Sequence, residues 1–263
     1  MQSLREQVGV VELPADVDRL IDEVAAALVQ PRCTPGPDVK ALRKKLGAGV
    51  NTASGLVGNY KQTAPMPGDV ALVGALVRRC VPRRDVDVSG EIEVPLDQSV
   101  SPPRGQVCVP GTLTVGGDLS VVAPLVVCGD LIVDGIITDC GPQSVIVVLG
   151  DLRCHALLTS GEVLVYGALT ASKLVEGRDN DNVLEVHGTL ATPALLSNDH
   201  AIEADALEVV HRPPRGGVWG DKIFDMSAGH LAALLAIVAD PSLIDGDELD
   251  AFALASHDAP WKR

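Results

Sequence analysis

The sequence predicts a mainly β protein, a parallel β-solenoid of six to seven coils with α-helical extensions at both ends. Three observations lead there. Strands of strict apolar–polar alternation recur in one register, and they return every 17 to 23 residues. The composition is 46% hydrophobic but only 2% aromatic, and a core of Val, Leu, Ile and Ala suits thin repeated layers better than one large centre.

The repeat reads aliphatic-x-Val-x-Gly-x-aliphatic. It occurs as Val86-x-Val88-x-Gly90-x-Ile92, Val107-x-Val109-x-Gly111-x-Leu113 and Leu125-x-Val127-x-Gly129-x-Leu131. It returns as Ile146-x-Val148-x-Gly150-x-Leu152, Val163-x-Val165-x-Gly167-x-Leu169 and Leu184-x-Val186-x-Gly188-x-Leu190. A seventh copy, Leu207-x-Val209, has His211 in the glycine place. Period-two alternation means strands with one buried face, which excludes a helical-repeat solenoid. A return near twenty residues is too short for a strand–helix–strand unit, which takes about 30. Gly111 and Gly117, like Gly161 and Gly167, are six apart, so three faces of about six residues account for one coil. Val109, Val127 and Val148 are then rungs of one aliphatic column, with Leu113, Leu131 and Leu152 forming another. The glycine row is expected to face inward between them, where a missing side chain lets a thin core close.

The solenoid spans residues 85–212, with a helical region over 1–84 and a helical cap over 213–263. In the first extension, 15–29 reads as an amphipathic helix with Leu20, Val24 and Leu28 on one stripe. A second helix covers 37–47, with proline at its start and glycine at its end, and a third covers 68–80. After a Pro- and Gly-rich loop at 212–217, helices are expected over 228–241 and 246–256. Such extensions cap the exposed strand edges of a stack.

The outward positions of the central coils are also apolar: Val126, Cys128, Val147, Leu149, Leu164 and Tyr166. A strand buried on both sides has something lying over it, either the protein's own helices, a second protomer or a partner protein. Asp118, Asp130 and Asp151 recur in Gly-Asp-Leu, where local hydrogen bonding at solenoid corners explains them better than a metal ladder. With Asp134 they mark an acidic surface.

Charge is uneven. Residues 1–104 carry 13 acids and 13 bases, whereas 105–212 carry 14 acids against 4 bases, a net of −10. That surface repels phosphate backbones, which argues against nucleic-acid binding, and it attracts a basic partner. There is no apolar run long enough for a membrane span, and the N-terminus lacks the order of a secretory signal. The six cysteines show no CxxC pair and read as reduced small hydrophobes of a cytoplasmic protein. None of the six histidines sits in a metal-ligand spacing. The loop at 176–182 has alternating Asp179 and Asp181 but lacks the glycine and distal glutamate of a calcium loop, so it reads as a solvated excursion. Phosphate-binding, nucleophile-elbow and Cys–His motifs are missing too. The expectation is a non-enzymatic protein without metal or cofactor.

From about residue 84 to 212 the Val-x-Gly-x-Leu coils resemble the polymer-forming bactofilin group. That resemblance implies a three-sided, right-handed β-helix and filaments built by end-to-end stacking, although helical extensions on both sides argue against open-ended polymers. The chain also resembles bacterial stand-alone β-solenoid proteins associated with polymorphic toxins, on the stretch 150–203 and the tail from Val218. This second resemblance implies an immunity protein whose acidic face docks a basic toxin domain. Hexapeptide acyltransferases share the solenoid, but their turns of about eighteen residues fit poorly, and no catalytic histidine can be assigned from them.

Overall fold

The computed structural model describes residues 2–57, 66–95, 106–139, 141, 144–178, 182–198, 200–211, 238–245, 248–250, 253, 257 and 260. It is a parallel β-solenoid of about five turns with several helices. In chain order the early strands are β1 (Gln2–Ser3), β2 (Val86–Val88), β3 (Ile92–Val94), β4 (Val107–Val109), β5 (Leu113–Val115) and β6 (Leu119–Val121). Next come β7 (Leu125–Val127), β8 (Leu131–Val133), β9 (Ile136–Asp139) and β10 (Val145–Val148). The last are β11 (Leu152–Thr159), β12 (Glu162–Val165), β13 (Leu169–Arg178), β14 (Val183–Asn198) and β15 (Ala201–His211).

Every pairing among these strands is parallel, and the pairs fall into three ladders. The first runs β4–β7–β10–β12–β14–β15. The second runs β2–β5–β8–β11–β13–β14–β15. The third starts at β1 and runs through β3, β6 and β9 before rejoining β11, β13, β14 and β15. From β11 onward one strand rounds the corner between two ladders through an irregular register, as between Cys154 and Ala156.

Columns of like residues form the core. Val109, Val127, Val148, Val165, Val186 and Ala204 are register partners in turn. So are Leu113, Leu131, Leu152, Leu169, Leu190 and Leu207. The valines are fully buried, and burying one such side chain contributes about 1.5–3 kcal/mol.

The repeat glycine sits at a corner, not in mid-strand. Strand β7 ends at Val127 and β8 begins at Leu131, with Cys128 and Gly129 in the bend. A Cβ on Gly129 would lie 2.8 Å from the carbonyl carbon of Gly111, and one on Gly150 would lie 2.7 Å from the carbonyl oxygen of Gly129. The glycines are therefore stacked backbone on backbone, and they do not face the core. Close coil-on-coil approach requires them.

The outermost copies are displaced by one face from the expected alignment. Val86 pairs with Leu113 and Ile92 with Leu119, so residues 86–94 lie in the second and third ladders. Leu207 pairs with Leu190 and His211 with Ala194, which places the seventh copy one face on as well. The cause is that an aliphatic-x-aliphatic strand looks alike on every face. Only the corner differs: Gly90 has φ +83°, a left-handed conformation that favours glycine, and it belongs to another corner.

The N-terminal region pairs with the stack and packs on it. β1 extends the third ladder by pairing with β3, and α1 (Leu4–Val8) packs against β3 and β4. A 3₁₀ turn (Val17–Leu20) leads into α2 (Ile21–Ala27), where Val17, Ile21 and Val24 are buried and Leu20 and Leu28 only partly so. In α3 (Val39–Gly47) the Asp38 carboxylate accepts from the Ala41 N–H and caps the first turn. Short α4 (Ala53–Val57) follows, then α5 (Pro67–Cys80), with Pro67 and Asp69 in its first turn and Arg78 and Arg79 in its last.

The C-terminal expectations are corrected where residues are described. Residues 212–237 lie outside the described set, taking with them the loop at 212–217 and most of the helix expected over 228–241. Residues 238–240 are not helical, and β16 (Ile244–Asp245) pairs antiparallel with β17 (Glu248–Leu249) inside or beside the helix expected over 246–256. Glu176 and Arg178, expected in a loop, end strand β13 instead; Asp179 and Asp181 lie outside the described residues.

Corner stacking makes a sharp prediction. Gly150→Ala should lower the urea midpoint by an amount equivalent to about 1–3 kcal/mol. Gly47→Ala, where a Cβ meets nothing within 4 Å, should leave the midpoint unchanged or slightly raised. Equal effects at both positions would contradict the corner assignment.

Candidate functional site

The first outer face is covered by the chain itself. Val126, Cys128, Val147, Leu149 and Leu164 are buried and Tyr166 is half-buried, and α5 packs on β7, β10 and β12. The Cys128 thiol lies 3.3 Å from the Gly74 carbonyl, and Arg78 donates to the Leu149 carbonyl at 3.3 Å. A Cβ on Gly74 would lie 2.6 Å from Val126, so a helix-interior glycine, which costs about 1 kcal/mol against alanine, is what lets α5 sit this close. Strands β4, β7 and β10 of this ladder are accordingly buried at every position, whereas β5 and β8 of the second ladder alternate.

Beyond α5 the same outward column turns acidic, with Glu185 and then Glu203 in register. The segment after α2 covers these two carboxylates. Glu185 accepts the backbone N–H of Arg32 at 2.8 Å and of Cys33 at 3.1 Å, and His187 lies 2.6 Å from it. The Arg32 guanidinium pairs with Glu203 at 2.9 Å and Asp205 at 2.6 Å, and donates to the Val186 carbonyl at 3.0 Å. Burial alone would raise the Glu185 pKa, but the bonds from His187, Arg32 and Cys33 outweigh it and hold the carboxyl below its usual value. Burial and the hydrogen bond to Glu203 push the Cys33 thiol up to about 12, so it is a protonated donor, not a nucleophile. On the coil before, burial lifts Glu162 to about 7, with Glu185 adding repulsion. This network was missed in the sequence. The available signal was Glu185 occupying a column filled by Val126, Val147 and Leu164 in earlier coils.

The outer face of the third ladder is also covered. Ile136, Ala156, Leu174, Ala194 and Leu196 form a second apolar cluster with Val238 and Leu243 of the C-terminal segment. The described part of residues 213–263 therefore lies along the side of the stack.

No described segment lies over the second outer face. Its register column reads Asp87, Thr114, Ile132, Arg153, Thr170, Ala191 and Glu208. Asp87, Arg153, Thr170 and Glu208 are exposed, and Thr114, Ile132 and Ala191 are half-buried. Aspartates border this face on both sides. On one corner Thr112 N donates to Asp85 at 2.7 Å, Asp151 N to Asp130 at 2.9 Å, and Ala168 N to Asp151 at 2.9 Å. On the other corner Ile136 N donates to Asp118 at 2.7 Å, and Asp134 is exposed. These bonds run from coil to coil, not locally within the turn as expected, because the corner backbone of the next coil lies directly above each carboxylate. Arg153 approaches Asp151 at 3.5 Å and Arg83 pairs with Asp85 at 2.9 Å.

Among the described residues no group of three or more His, Cys, Asp or Glu side chains is arranged to hold a metal ion, and no helix is long and apolar enough to cross a membrane. Cys33, Cys80, Cys108, Cys128 and Cys154 are free thiols; Cys140 lies outside the described residues. No family model, curated protein or solved structure matches the chain.

Two outcomes test the buried charges. Arg32→Gln removes the cation paired with buried Glu203 while Glu185 keeps its backbone and His187 partners, and should cost about 1–3 kcal/mol at pH 7 by urea denaturation, the partial exposure of Arg32 keeping the figure modest. A loss under about 0.5 kcal/mol would mean the segment is held by other contacts. For Glu162 the folded pKa lies above the unfolded one, so between about pH 4.5 and 7 the unfolded state sheds its proton first and stability falls as pH rises. Glu162→Gln should gain about 1–3 kcal/mol over the parent at pH 8 and little at pH 4, read from paired urea curves.

Proposed function

We propose that this chain is a non-enzymatic binding protein that docks a basic protein partner on its open solenoid face. The observation that carries this reading is the division of labour among the three outer faces. Two are occupied by the chain's own segments, while the third presents half-buried Ile132, Thr114 and Ala191 between two aspartate-bearing edges. Ile132 is the one large apolar side chain of this column, Arg153 and Thr170 are exposed beside it, and the carboxylates supply the polar rim that protein interfaces carry. Carboxylates on both edges speed encounter with a basic surface and disfavour an acidic one. The specific form of the proposal is an immunity protein that covers a basic toxin domain, which the resemblance of residues 150–203 to toxin-associated solenoids supports.

A second reading is a bactofilin-like polymer. It draws support from β15, which pairs with β14 and, among the described residues, with no strand beyond it. At the other end β1 and α1 lie over the first coil, which disfavours head-to-tail addition.

The test is co-expression with the product of each neighbouring gene, followed by binding measured at two salt concentrations. The immunity reading expects restored growth, discrete particles by negative-stain microscopy, and affinity at least about ten-fold weaker at 0.3 M than at 0.05 M salt. Asp134→Asn with Ile132→Ser should weaken binding without unfolding the chain. Absence of binding at low salt would overturn the reading, and filaments would favour the polymer.

A further inference from the structure

A cleft of about 510 Å³ opens between the end of α2, the end of α5 and the solenoid. Its walls are apolar: Val24 and Leu28 from the helix side, Leu149 and the ring of Tyr166 from the coils. Its charged lining is Arg78, Arg79 and Glu23, two cations against one carboxylate. We propose that this cleft binds a small amphiphile, an aliphatic chain carrying an anionic head, independently of the protein-docking face.

Four observations support the assignment. The volume falls within the usual range of small-molecule sites, and such sites combine apolar walls with a few placed polar groups. Val29, which also lines the cleft, is 58% exposed, one of the few large apolar side chains left in water among the described residues. The cations keep donors to spare: Arg79 pairs with the lining Glu23 only at 3.7 Å, beyond hydrogen-bond reach, and Arg78 holds the Leu149 carbonyl with one of its five donors, so the lining keeps a net positive charge. Two guanidinium groups together suit a carboxylate or phosphate head. Finally, the wall is fixed in advance. The Tyr166 ring stacks on His187 with centroids 5.0 Å apart, and His187 is held by Glu185, itself gripped by the backbone of Arg32 and Cys33. A preformed wall spares a ligand the cost of ordering it.

Calorimetric titration of the full chain tests the proposal, with decanoate, decyl phosphate, decanol and decyltrimethylammonium as probes. Saturable one-to-one binding of at least one anionic probe is expected, at least about ten-fold tighter than the cationic one. Preference between the two anions then separates a carboxylate from a phosphate ligand. Arg78→Gln combined with Arg79→Gln should weaken anion binding by about ten-fold or more while leaving the circular dichroism spectrum and urea midpoint in place. Ala75→Trp, which fills the cleft from α5, should abolish binding of all probes. If that variant fails to fold, the arginine pair still decides. Binding of neither anion up to millimolar concentration, equal binding of the cation, or an arginine double variant that binds as well as the parent would each overturn the site.

Discussion

Each coil is held by the backbone of the coil beneath it, and the tightest place is the corner. There one glycine rests on the next with no room for a Cβ, and Gly129 N donates to the Gly111 carbonyl at 2.8 Å as Gly167 N does to Gly150 at 2.9 Å. That contact fixes the vertical spacing, and the spacing brings Val127 over Val109 and under Val148. It also sets the corner aspartates beneath the N–H groups they accept from, turning Asp130 and Asp151 into structural acceptors that still carry charge at the surface. One geometric requirement thus produces both the core and the acidic edges.

A parallel stack with three outer faces leaves each of them to be dealt with separately. The chain treats the faces differently by changing what points outward. Where valine, leucine and cysteine point out, a helix with a glycine at its contact point lies down on them. Where the same column changes to glutamate, the covering segment changes too, supplying Arg32 and two backbone N–H groups in place of an apolar surface. The third ladder takes the C-terminal segment through Val238 and Leu243. Among the described residues, what stays exposed is a face with few large apolar groups and carboxylates along both sides.

The coil itself was legible in the sequence because inward residues two apart return in one register every 17 to 23 residues. Val109 through Val186 could be stacked on paper for this reason. The place of the glycine was not legible, since a corner residue and a mid-strand residue occupy the same spot in an aliphatic-x-Val-x-Gly-x-aliphatic string; only the three-dimensional approach of Gly150 to Gly129 separates them. The end copies slipped by one face because Val86-x-Val88 and Leu207-x-Val209 satisfy the strand pattern on any face. The apolar outer column from Val126 to Tyr166 was readable, but that its cover would be α5 depended on Gly74, a residue whose role appears only once helix and coil are side by side. The burial of Glu185 was not legible, because its partner Arg32 is 153 positions away along the chain. No local pattern carries such a pairing.

Disulfide trapping across neighbouring coils tests the in-register stack most directly. Ile132 and Arg153 are paired neighbours on the open face, whereas Thr114 and Arg153 are separated by an intervening coil. Adjacent parallel strands lie about 4.8 Å apart, within reach of a disulfide, while two coils span about 10 Å and are beyond it. Under mild oxidation and peptide mapping, Ile132→Cys with Arg153→Cys should cross-link within the chain, and Thr114→Cys with Arg153→Cys should not. A cross-link in the second variant and none in the first would contradict the stacking on which the fold and its open face depend.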